Sequence, residues 1–500
     1  MKIQIKKGFP EEIKADALIV WHFQGDQISK SAEKIDRTCN GIIRDVIARG
    51  DFEGKENQNL LIYSGGNIPT PRILLVGLGN ICQANVEAVR KAYALAVQKL
   101  RSINVKNIGT CLDFEGRNFA NCRPAFAALE GLLLGDYHFQ YYKTTDSERT
   151  SIENILISQG GAELDEIMTD MVRAETIAAA VCLARDLGNA PGNGLTPSIL
   201  AKKAESLAKG RKIKCTVLDT EKIKKVGMSA LLGVAQGSHE PPRFIILEYY
   251  GGRRGEGNIV LIGKGITFDS GGVSLKPAEK MGEMKADMAG AAAVLAVVGA
   301  AADLKLPLNI VGIIPATENM PGGSACKPGD ILKSMNGKTI EIISTDAEGR
   351  LILADAFTYA ERFKPALMID LATLTGACVV ALGDDVAGLF CNDKKLKDQL
   401  IRASNLTCEM IWEMPLWDCY NELIKSDVAD LKNTGGRNGG AISAAAFLKQ
   451  FTGTYPWAHI DIAGPGFSPK DRPYAPKGAT GFGVRLIVQF LIDCCTTAGR

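Results

Sequence analysis

Three near-continuous apolar runs in the second part of the chain most constrain its fold. They are residues 258–263 (NIVLIG), 308–315 (LNIVGIIP) and 366–374 (ALMIDLATL). Strands that are buried on both faces of a mostly parallel sheet have this pattern, whereas half-exposed strands alternate apolar and polar residues. Asn336-Gly337, between ILKSM and KTIEII, adds the signal of a type I′ β-hairpin. The sequence therefore predicts an α/β fold with a mostly parallel mixed sheet covered by helices.

The first third of the chain predicts a second, smaller α/β domain. Apolar strands at 17–23, 60–66 and 72–79 alternate with helical patterns at 86–100 and 124–135, and a short strand follows at 154–158. A long helical pattern at about 165–187 is expected to connect the domains. A chain of 500 residues is too long for one ordinary core. We predict an N-terminal α/β domain at 1–164 and a larger C-terminal domain at 165–500.

Composition and charge narrow the class of protein. The formal net charge is +2, so no overall field attracts nucleic acid or anionic lipid. The longest apolar run, residues 288–302, is shorter than the roughly 18 residues of a membrane span and predicts a buried helix. The charged N-terminus lacks the apolar stretch of a secretory signal, and the 13 cysteines form no C-x-x-C pair. We therefore expect a reduced, cytoplasmic protein without a membrane segment.

The segment 263–277 (GKGITFDSGGVSLKP) begins where an apolar strand ends, the edge at which open α/β sheets place their sites. Lys264, Asp269 and Lys276 lie among four glycines, which let backbone approach a ligand closely. A glycine-rich turn with solvated charges and a phosphate-binding loop are the alternatives. A Walker A loop does not fit, because Lys264 is followed by Gly265 rather than by Ser or Thr.

Three further acids follow in two later segments. Asp287 precedes an Ala-rich helix, where a capping acid would also be expected. In the segment 344–357 (STDAEGRLILADAF), Thr345 and Glu348 match a capping box, which would make Arg350 an ordinary surface residue. Capping does not explain why Asp346, Glu348 and Arg350 alternate between two apolar runs.

A pair of divalent metals would account for these acids. Four carboxylates and a lysine beside buried strands are costly to bury unless a cation neutralises them. Two metals about 3.5–4 Å apart need bridging carboxylates, which three loops could supply. These segments contain neither His nor Cys, so the ligands would be oxygens with at most one amine. Such ligands suit Mn²⁺ or Mg²⁺ and do not exclude Zn²⁺.

The motifs GKGITFDSGG with the downstream KP, EMKADMAGAA and STDAEGRL resemble, in this order, those of the M17 leucyl aminopeptidase family. The resemblance extends through LATLTGA (371–377) and KGATGFGVRL (477–486) and so covers the second domain. It implies a metal-dependent enzyme that removes the N-terminal residue, leucine or a similar one, from peptides with a free N-terminus. It also implies a homohexamer.

The resemblance further implies a role for each residue. Two divalent ions, Mn²⁺ or Zn²⁺, would be held by the metal ligands Lys264, Asp269, Asp287, Asp346 and Glu348. Lys276 would polarise the scissile carbonyl, and Arg350 would hold a bicarbonate ion that acts as general base. The pocket for the first side chain would be lined by Met284, Thr373, Leu374, Gly376 and Ala463. The chain departs from the family at Ser344, where Asn is usual, so activity or metal preference could differ.

Two other functions remain open on the sequence alone. A two-metal phosphoesterase would use the same carboxylates but should show clustered cations, whereas Lys276 and Arg350 are the only cations proposed to act on substrate. The N-terminal domain could instead bind a nucleotide or nucleic acid through the glycine pair in VGLGN (76–80). A tight turn explains that pair equally well, and the near-neutral charge argues against nucleic acid.

Overall fold

The computed structural model describes residues 1–114, 119, 123–145, 151–158, 164–253 and 255–497. The chain divides into two compact units. The first comprises Met1–Ala179 with Asp471–Pro476, and the second comprises Ala180–Lys470 with Lys477–Arg500. The division falls within a long helix, Leu164–Asn189, which includes the helical pattern at 165–187.

The first unit contains the strands and helices that the sequence predicts for it, and four further elements that it does not predict: strands at 2–6 and 107–111 and helices at 30–38 and 42–48. Its elements are β1 (Lys2–Lys6), β2 (Ala17–Gln24), α1 (Lys30–Thr38), α2 (Ile42–Ala48), β3 (Asn59–Tyr63), β4 (Arg72–Asn80), α3 (Val86–Ser102), β5 (Asn107–Cys111), α4 (Pro124–Gly135), β6 (Asn154–Ser158) and the start of α5 (Leu164–Asn189).

The six strands of the first unit form one sheet in the order β1-β6-β5-β2-β4-β3. All neighbours are parallel except β3 and β4. Leu18 and Val20 of β2 pack with Ile35 of α1 and Ile43 of α2, so these two helices bury one face of the sheet. Helix α3 packs on β4 and on α4.

The second unit contains the remaining elements. They are α6 (Pro197–Ala208), β7 (Ile213–Leu218), α7 (Thr220–Val226), α8 (Ser229–Ala235), β8 (Arg243–Tyr250), β9 (Asn258–Gly263), β10 (Gly265–Asp269), α9 (Ala289–Asp303), β11 (Asn309–Asn319), β12 (Ile331–Lys333), β13 (Thr339–Glu341), α10 (Gly349–Ala360), β14 (Pro365–Ala372), α11 (Gly376–Leu382), β15 (Ala387–Cys391), α12 (Lys394–Thr407), β16 (Ile411–Glu413), β17 (Leu431–Lys432), α13 (Gly440–Lys449), β18 (Trp457–Asp461), β19 (Phe467–Ser468), β20 (Gly478–Ala479) and α14 (Val484–Thr497).

The main sheet of this unit runs in the order β16-β15-β18-β14-β9-β11-β8-β7, with β10 beside β11. Its central neighbours β18, β14, β9 and β11 are parallel, and the antiparallel pairs lie towards its ends. Val311 and Ile313 of β11 share a core with Leu353 of α10, while Gly312 between them faces Val298 of α9. Alternate residues thus bury opposite faces under different helices. The predicted α/β class with a mostly parallel mixed sheet is confirmed.

The apolar run at 288–302 forms the buried helix that the sequence predicts. Twelve residues of α9 are buried, and the helix packs on β9, β11 and β14. Within the described residues, the segment Met281–Asp303 is long and apolar enough to cross a bilayer by length and composition. However, 83% of its most apolar window is buried inside the protein, which accounts for its composition.

The hairpin at Asn336-Gly337 is observed, but its predicted type I′ turn is wrong. Strands β12 and β13 pair in antiparallel register from Lys333–Thr339 outward. Gly337 has a φ of 93°, whereas Asn336 does not have the positive φ that a type I′ turn requires. The Asn336 Oδ1 atom instead accepts hydrogen bonds from Ser334 Oγ and from the Lys338 N–H, so this side chain organises a longer turn.

Candidate metal centre

The candidate site lies at the carboxyl ends of the central strands of the main sheet. Lys264 follows β9, Asp269 ends β10, and Thr373 follows β14. Two further acids lie at helix starts, Asp287 just before α9 and Glu348 just before α10. Because parallel strands end at the same edge, residues that are more than 100 positions apart converge there.

Three carboxylates form the centre of the site. Oxygens of Asp269, Asp346 and Glu348 lie within 4.8 Å of one another. Asp269 and Glu348 are buried, and Asp346 is exposed. Asp287 joins the cluster through Lys264, whose Nζ atom lies 2.8 Å from Asp287 Oδ2 and 2.9 Å from Glu348 Oε1. The four acids predicted from sequence therefore share one site.

A second lysine contacts the other two acids of the cluster. The Nζ atom of Lys276 lies 2.8 Å from Asp269 Oδ2 and 2.5 Å from Asp346 Oδ1. The glycines between Asp269 and Lys276 make this return possible, because Gly271 and Gly272 have φ angles of 87° and 67°. Lys276 is partly exposed, whereas Lys264 is almost fully buried.

The electrostatics of the cluster reveal a shortage of positive charge. Burial raises the pKa of Asp287 and Glu348, which disfavours their ionised forms. The Asp346 side chain is 40% exposed, but the protein around it removes enough water to raise its pKa as well. Burial also disfavours the ammonium group of Lys264, but the carboxylates of Asp287, Glu348 and Asp269 outweigh it and raise its pKa. Among the described residues, four carboxylates thus meet two lysines in direct contact.

The donor set fits divalent metal ions. The Oε2 atom of Glu348 is buried and has no hydrogen-bond partner among the described residues. A buried carboxylate oxygen without a partner is costly unless a cation binds it. Carboxylate oxygens from three loops, with one lysine that could ligate as a neutral amine, match the ligand chemistry of Mn²⁺ and do not exclude Zn²⁺.

The capping alternatives do not describe these acids. Helix α9 has Met288 as its N-cap, and the Asp287 carboxylate accepts hydrogen bonds from Lys264 Nζ and Thr373 Oγ1 instead. The hydroxyl of Thr345 donates to the Gly271 carbonyl and accepts from the Ser274 N–H, so it forms no capping box with Glu348. These side chains hold the site together rather than close helix ends.

Arg350 is not the surface residue that the capping interpretation implies. Its side chain is buried, and Nη1 donates to the Asn433 carbonyl at 2.7 Å. Burial lowers the pKa of Arg350 to about 10, while the charges of Glu348 and Asp461 act in the opposite direction. A guanidinium group buried this close to the cluster can bind an anion at the edge of the site.

Some residues of the site carry no recognisable sequence signal. Asn319, at the end of β11, donates from Nδ2 to Asp269 Oδ1 at 2.8 Å and to the Thr345 carbonyl at 3.0 Å. Thr373 Oγ1 donates to Asp287 Oδ1 at 2.6 Å, although the sequence predicts Thr373 only as a pocket residue. A neutral side chain far away in the sequence reveals such a role only when the fold brings it beside its partner.

Ser344 makes the loop contact that its position requires. Its Oγ atom accepts a hydrogen bond from the Asp346 N–H at 3.2 Å. An Asn side chain commonly makes the same contact to the backbone two residues further on. The departure from the usual Asn therefore preserves this turn.

Every site residue predicted from the sequence lines one cavity of about 570 Å³. The proposed metal ligands, Lys276 and Arg350 line it together with the five predicted pocket residues, Met284, Thr373, Leu374, Gly376 and Ala463. The sequence analysis missed several further lining residues, among them Lys280, Glu283, Ala377, Val379, Asp384, Thr434, Gly436 and Phe467.

Comparison with known proteins agrees with this geometry. The catalytic domain of the cytosol aminopeptidase family matches residues 182–488, and the N-terminal domain of the same family matches residues 19–146. A probable cytosol aminopeptidase of Geotalea uraniireducens is 49% identical over 92% of this chain and 93% of its own length. The corresponding protein of Geobacter sulfurreducens is 48% identical over 92% of both chains.

Comparison with solved structures also finds similar chains. The bottromycin maturation enzyme BotP, in complex with Mn, is 33% identical with a TM-score of 0.86 and covers 96% of this chain and 100% of its own. A mutant of tomato leucine aminopeptidase is 35% identical with a TM-score of 0.88, covering 99% and 96%. The resemblance found in the motifs is confirmed. The chain therefore belongs to the cytosol aminopeptidase family, and this membership supports the activity of a metal-dependent aminopeptidase.

Proposed function

We propose that this protein is a two-metal aminopeptidase that releases the N-terminal residue, preferably leucine or a similar residue, from peptides. The observation that carries the proposal is the convergence of four carboxylates and two lysines in one cavity with an apolar wall. A site with an excess of acids over cations is suited to dications rather than to an anionic substrate alone.

The proposed metal ligands are five side chains that line the cavity: Lys264, Asp269, Asp287, Asp346 and Glu348. The family resemblance implies that Asp269 and Glu348 would serve both ions, and both side chains are buried in the cluster. Two bound dications would supply Lewis acidity and would lower the pKa of a water molecule between them. Lys264 could act as a ligand only as the neutral amine, a form that a nearby dication favours.

Lys276 and Arg350 are proposed to act on the substrate rather than on metal. The Lys276 ammonium can donate a hydrogen bond to the carbonyl oxygen of the scissile bond and stabilise the negative charge that develops there. The neighbouring carboxylates raise its pKa although burial opposes them, so it remains protonated. Arg350 would hold bicarbonate through its charge, and bicarbonate would serve as the general base.

The first side chain of the peptide would occupy the apolar part of the cavity. Met284, Leu374 and Ala463 offer apolar surface there, and Val379 and Phe467 add to it. An apolar wall of this kind supports a preference for leucine or methionine over charged residues.

The family resemblance implies that the enzyme is a homohexamer and that it is cytoplasmic. Large apolar side chains on the second unit support self-association, because Val380, Trp412 and Trp417 are 90%, 66% and 68% exposed. Light scattering coupled to size-exclusion chromatography would measure the subunit number.

Hydrolysis of leucyl-anilide by metal-stripped protein tests the proposal, with Mn²⁺, Zn²⁺, Mg²⁺ and Co²⁺ restored one at a time. We expect no activity in chelator and recovery with at least one of the four ions. Nitrophenyl phosphate serves as the comparison substrate, because a two-metal phosphoesterase would hydrolyse it instead. Full anilide hydrolysis in excess chelator, with no metal by elemental analysis, would exclude the two-metal mechanism.

A further inference from the structure

Asn433 uses its whole hydrogen-bonding capacity on one neighbouring segment. The residue follows β17 and is fully buried. Its Oδ1 atom accepts from the N–H groups of Ile343 and Ser344 at 2.8 and 3.3 Å. Its Nδ2 atom donates to the carbonyls of Ser344 and Ala347 at 2.6 and 3.4 Å. An Asn amide offers two donors and two acceptor lone pairs, so this side chain is satisfied completely.

The segment that Asn433 binds is the one that carries three proposed functional residues. Asp346 lies between Ser344 and Ala347, two residues whose backbone binds the Asn433 side chain. Glu348 follows Ala347 directly, and Arg350 follows two positions later. The backbone of Asn433 adds two contacts: its N–H donates to the Glu341 carbonyl, and its carbonyl accepts from Arg350 Nη1.

Asn433 also directly precedes the glycine-rich segment 434–440 (TGGRNGG). Three residues of this segment, Thr434, Gly436 and Gly440, line the cavity. Asn433 is therefore bonded to the segment of two proposed metal ligands and to Arg350, and is continuous with the cavity wall. A rigid clamp between these parts fixes their relative positions, which sets both metal affinity and the placement of a substrate.

We propose that Asn433 is a positioning residue that holds the segment 343–350 in the geometry required for metal binding and catalysis. This inference rests on the proposed function. The side-chain hydrogen bonds of Asn433 go to backbone atoms, so it acts through the backbone of the loop. Partners that orient metal ligands in this way typically contribute about 10–100-fold in metal affinity or activity.

Asn309 provides a matched control for the stability effect of losing a buried Asn. Its Oδ1 atom accepts from the Gly252 N–H, and its Nδ2 atom donates to the carbonyls of Arg253 and Glu256. It thus clamps a loop in the same manner. However, Asn309 lies at the start of β11, whereas Asn319, which contacts Asp269 of the site, lies at its end. About 30 Å of strand therefore separates Asn309 from the site residue Asn319. The loss of Asn309 should destabilise the fold without changing the site.

The experiment compares full-length wild type with Asn433→Ala, Asn433→Asp and Asn309→Ala. The Mn²⁺ dissociation constant is measured by equilibrium dialysis, kcat and KM on leucyl-anilide at saturating Mn²⁺, and folding by thermal melting. We expect Asn433→Ala to weaken Mn²⁺ binding and to lower kcat, each about 10–100-fold. Asn309→Ala should lower the melting temperature alone.

Asn433→Asp keeps the two acceptor bonds and the side-chain volume but cannot donate to Ser344 and Ala347. It keeps the inference testable if the alanine variant fails to fold, and we expect a measurable loss of Mn²⁺ affinity. Wild-type Mn²⁺ affinity and kcat in the folded Asn433 variants, with only a lower melting temperature, would overturn the inference. A wild-type protein that binds none of Mn²⁺, Zn²⁺, Mg²⁺ and Co²⁺, and hydrolyses the anilide with none of them, would instead overturn the proposed function.

Discussion

The ammonium group of Lys276 lies 2.8 Å from the carboxylate of Asp269, seven positions earlier in the chain. The two residues are proposed to do different work, Asp269 as a ligand and Lys276 as a donor to substrate. Their contact means that any cation bound by Asp269 competes with Lys276 for the same carboxylate. The effects of substitutions at Asp269 and at Lys276 can therefore be told apart only when metal content and kcat are measured on the same variant.

Neutralising a proposed bridging ligand should remove metal as well as activity. Asp269→Asn and Glu348→Gln keep side-chain volume but lose the charge that would hold a dication. We expect less metal per subunit by elemental analysis and a fall in kcat of at least about 10²-fold. Asp303→Asn, which removes a carboxylate from a surface ion pair with Arg211, is the control and should change neither. Full metal occupancy in both site variants would contradict the ligand assignment.

Acetylation of the substrate amine should abolish cleavage. The resemblance to the family implies that the free amine of the peptide would bind one of the metals, and acetylation removes the lone pair that this bond needs. Leucyl peptides should therefore be hydrolysed while their N-acetylated forms are not, as measured by chromatography of the products. Comparable rates for both forms would rule out amine binding as the basis of exopeptidase action.

Arg350→Ala and Lys276→Ala should lower kcat and leave metal content unchanged. General-base catalysis typically contributes about 10²–10⁴-fold, and an oxyanion donor about 10²–10³-fold. Because Arg350 is buried, thermal melting must accompany its kinetics. A rate near that of the wild type in Arg350→Ala, across a range of bicarbonate concentrations, would remove its proposed role. Loss of metal in either variant would mean that a ligand has been taken for a catalytic residue.

Replacing Ser344 by the family's usual Asn should be nearly silent. The Ser344 hydroxyl already accepts the Asp346 N–H, and an Asn side chain can accept the same hydrogen bond. We expect kcat and Mn²⁺ affinity of Ser344→Asn to stay within about threefold of the wild type, whereas Ser344→Ala should lose more because the N–H is left without this acceptor. Equal behaviour of the alanine and asparagine variants would show that the contact is unimportant.

The stability of the second unit should fall as pH rises through neutrality, because of Asp355. Burial raises the pKa of this side chain to about 7, although it accepts backbone N–H bonds from Leu231 and Met335. A raised pKa favours the protonated form in the folded state, so its contribution is complete below pH about 4 and is lost as pH rises through 7.

The difference between a pKa of 3.8 and one of about 7 corresponds to up to about 4 kcal/mol in the free energy of unfolding. We expect the melting temperature of Asp355→Asn to depend less on pH between 5 and 8 than that of the wild type. Both proteins are measured after treatment with EDTA, so that metal affinity does not contribute. Parallel melting curves across this range would refute the role of Asp355.

Much of the fold and of the proposed site can be predicted from sequence because both depend on local patterns. Runs such as 258–263 are apolar throughout since both faces of the strand are buried, and the end of this run marks Lys264 as the residue that follows the strand. Charged residues next to buried strands are rare, so the acids Asp269, Asp287 and Glu348 are conspicuous. The turn at Asn336 is predicted wrongly because more than one turn type accepts the same Asn-Gly pair.

The sequence by itself determined which residue types carry the chemistry, while the tertiary structure decided which neutral residues position them. Asn319 and Asn433 have no local signal, because Asn is common in turns and loops of every kind. Only the sheet brings Asn319 to within 2.8 Å of Asp269, and only the pairing of β13 with β17 brings Asn433 against Ser344. Hydrogen bonds act over about 3 Å, so such roles depend on contacts between residues far apart in the chain, which the linear sequence does not encode locally.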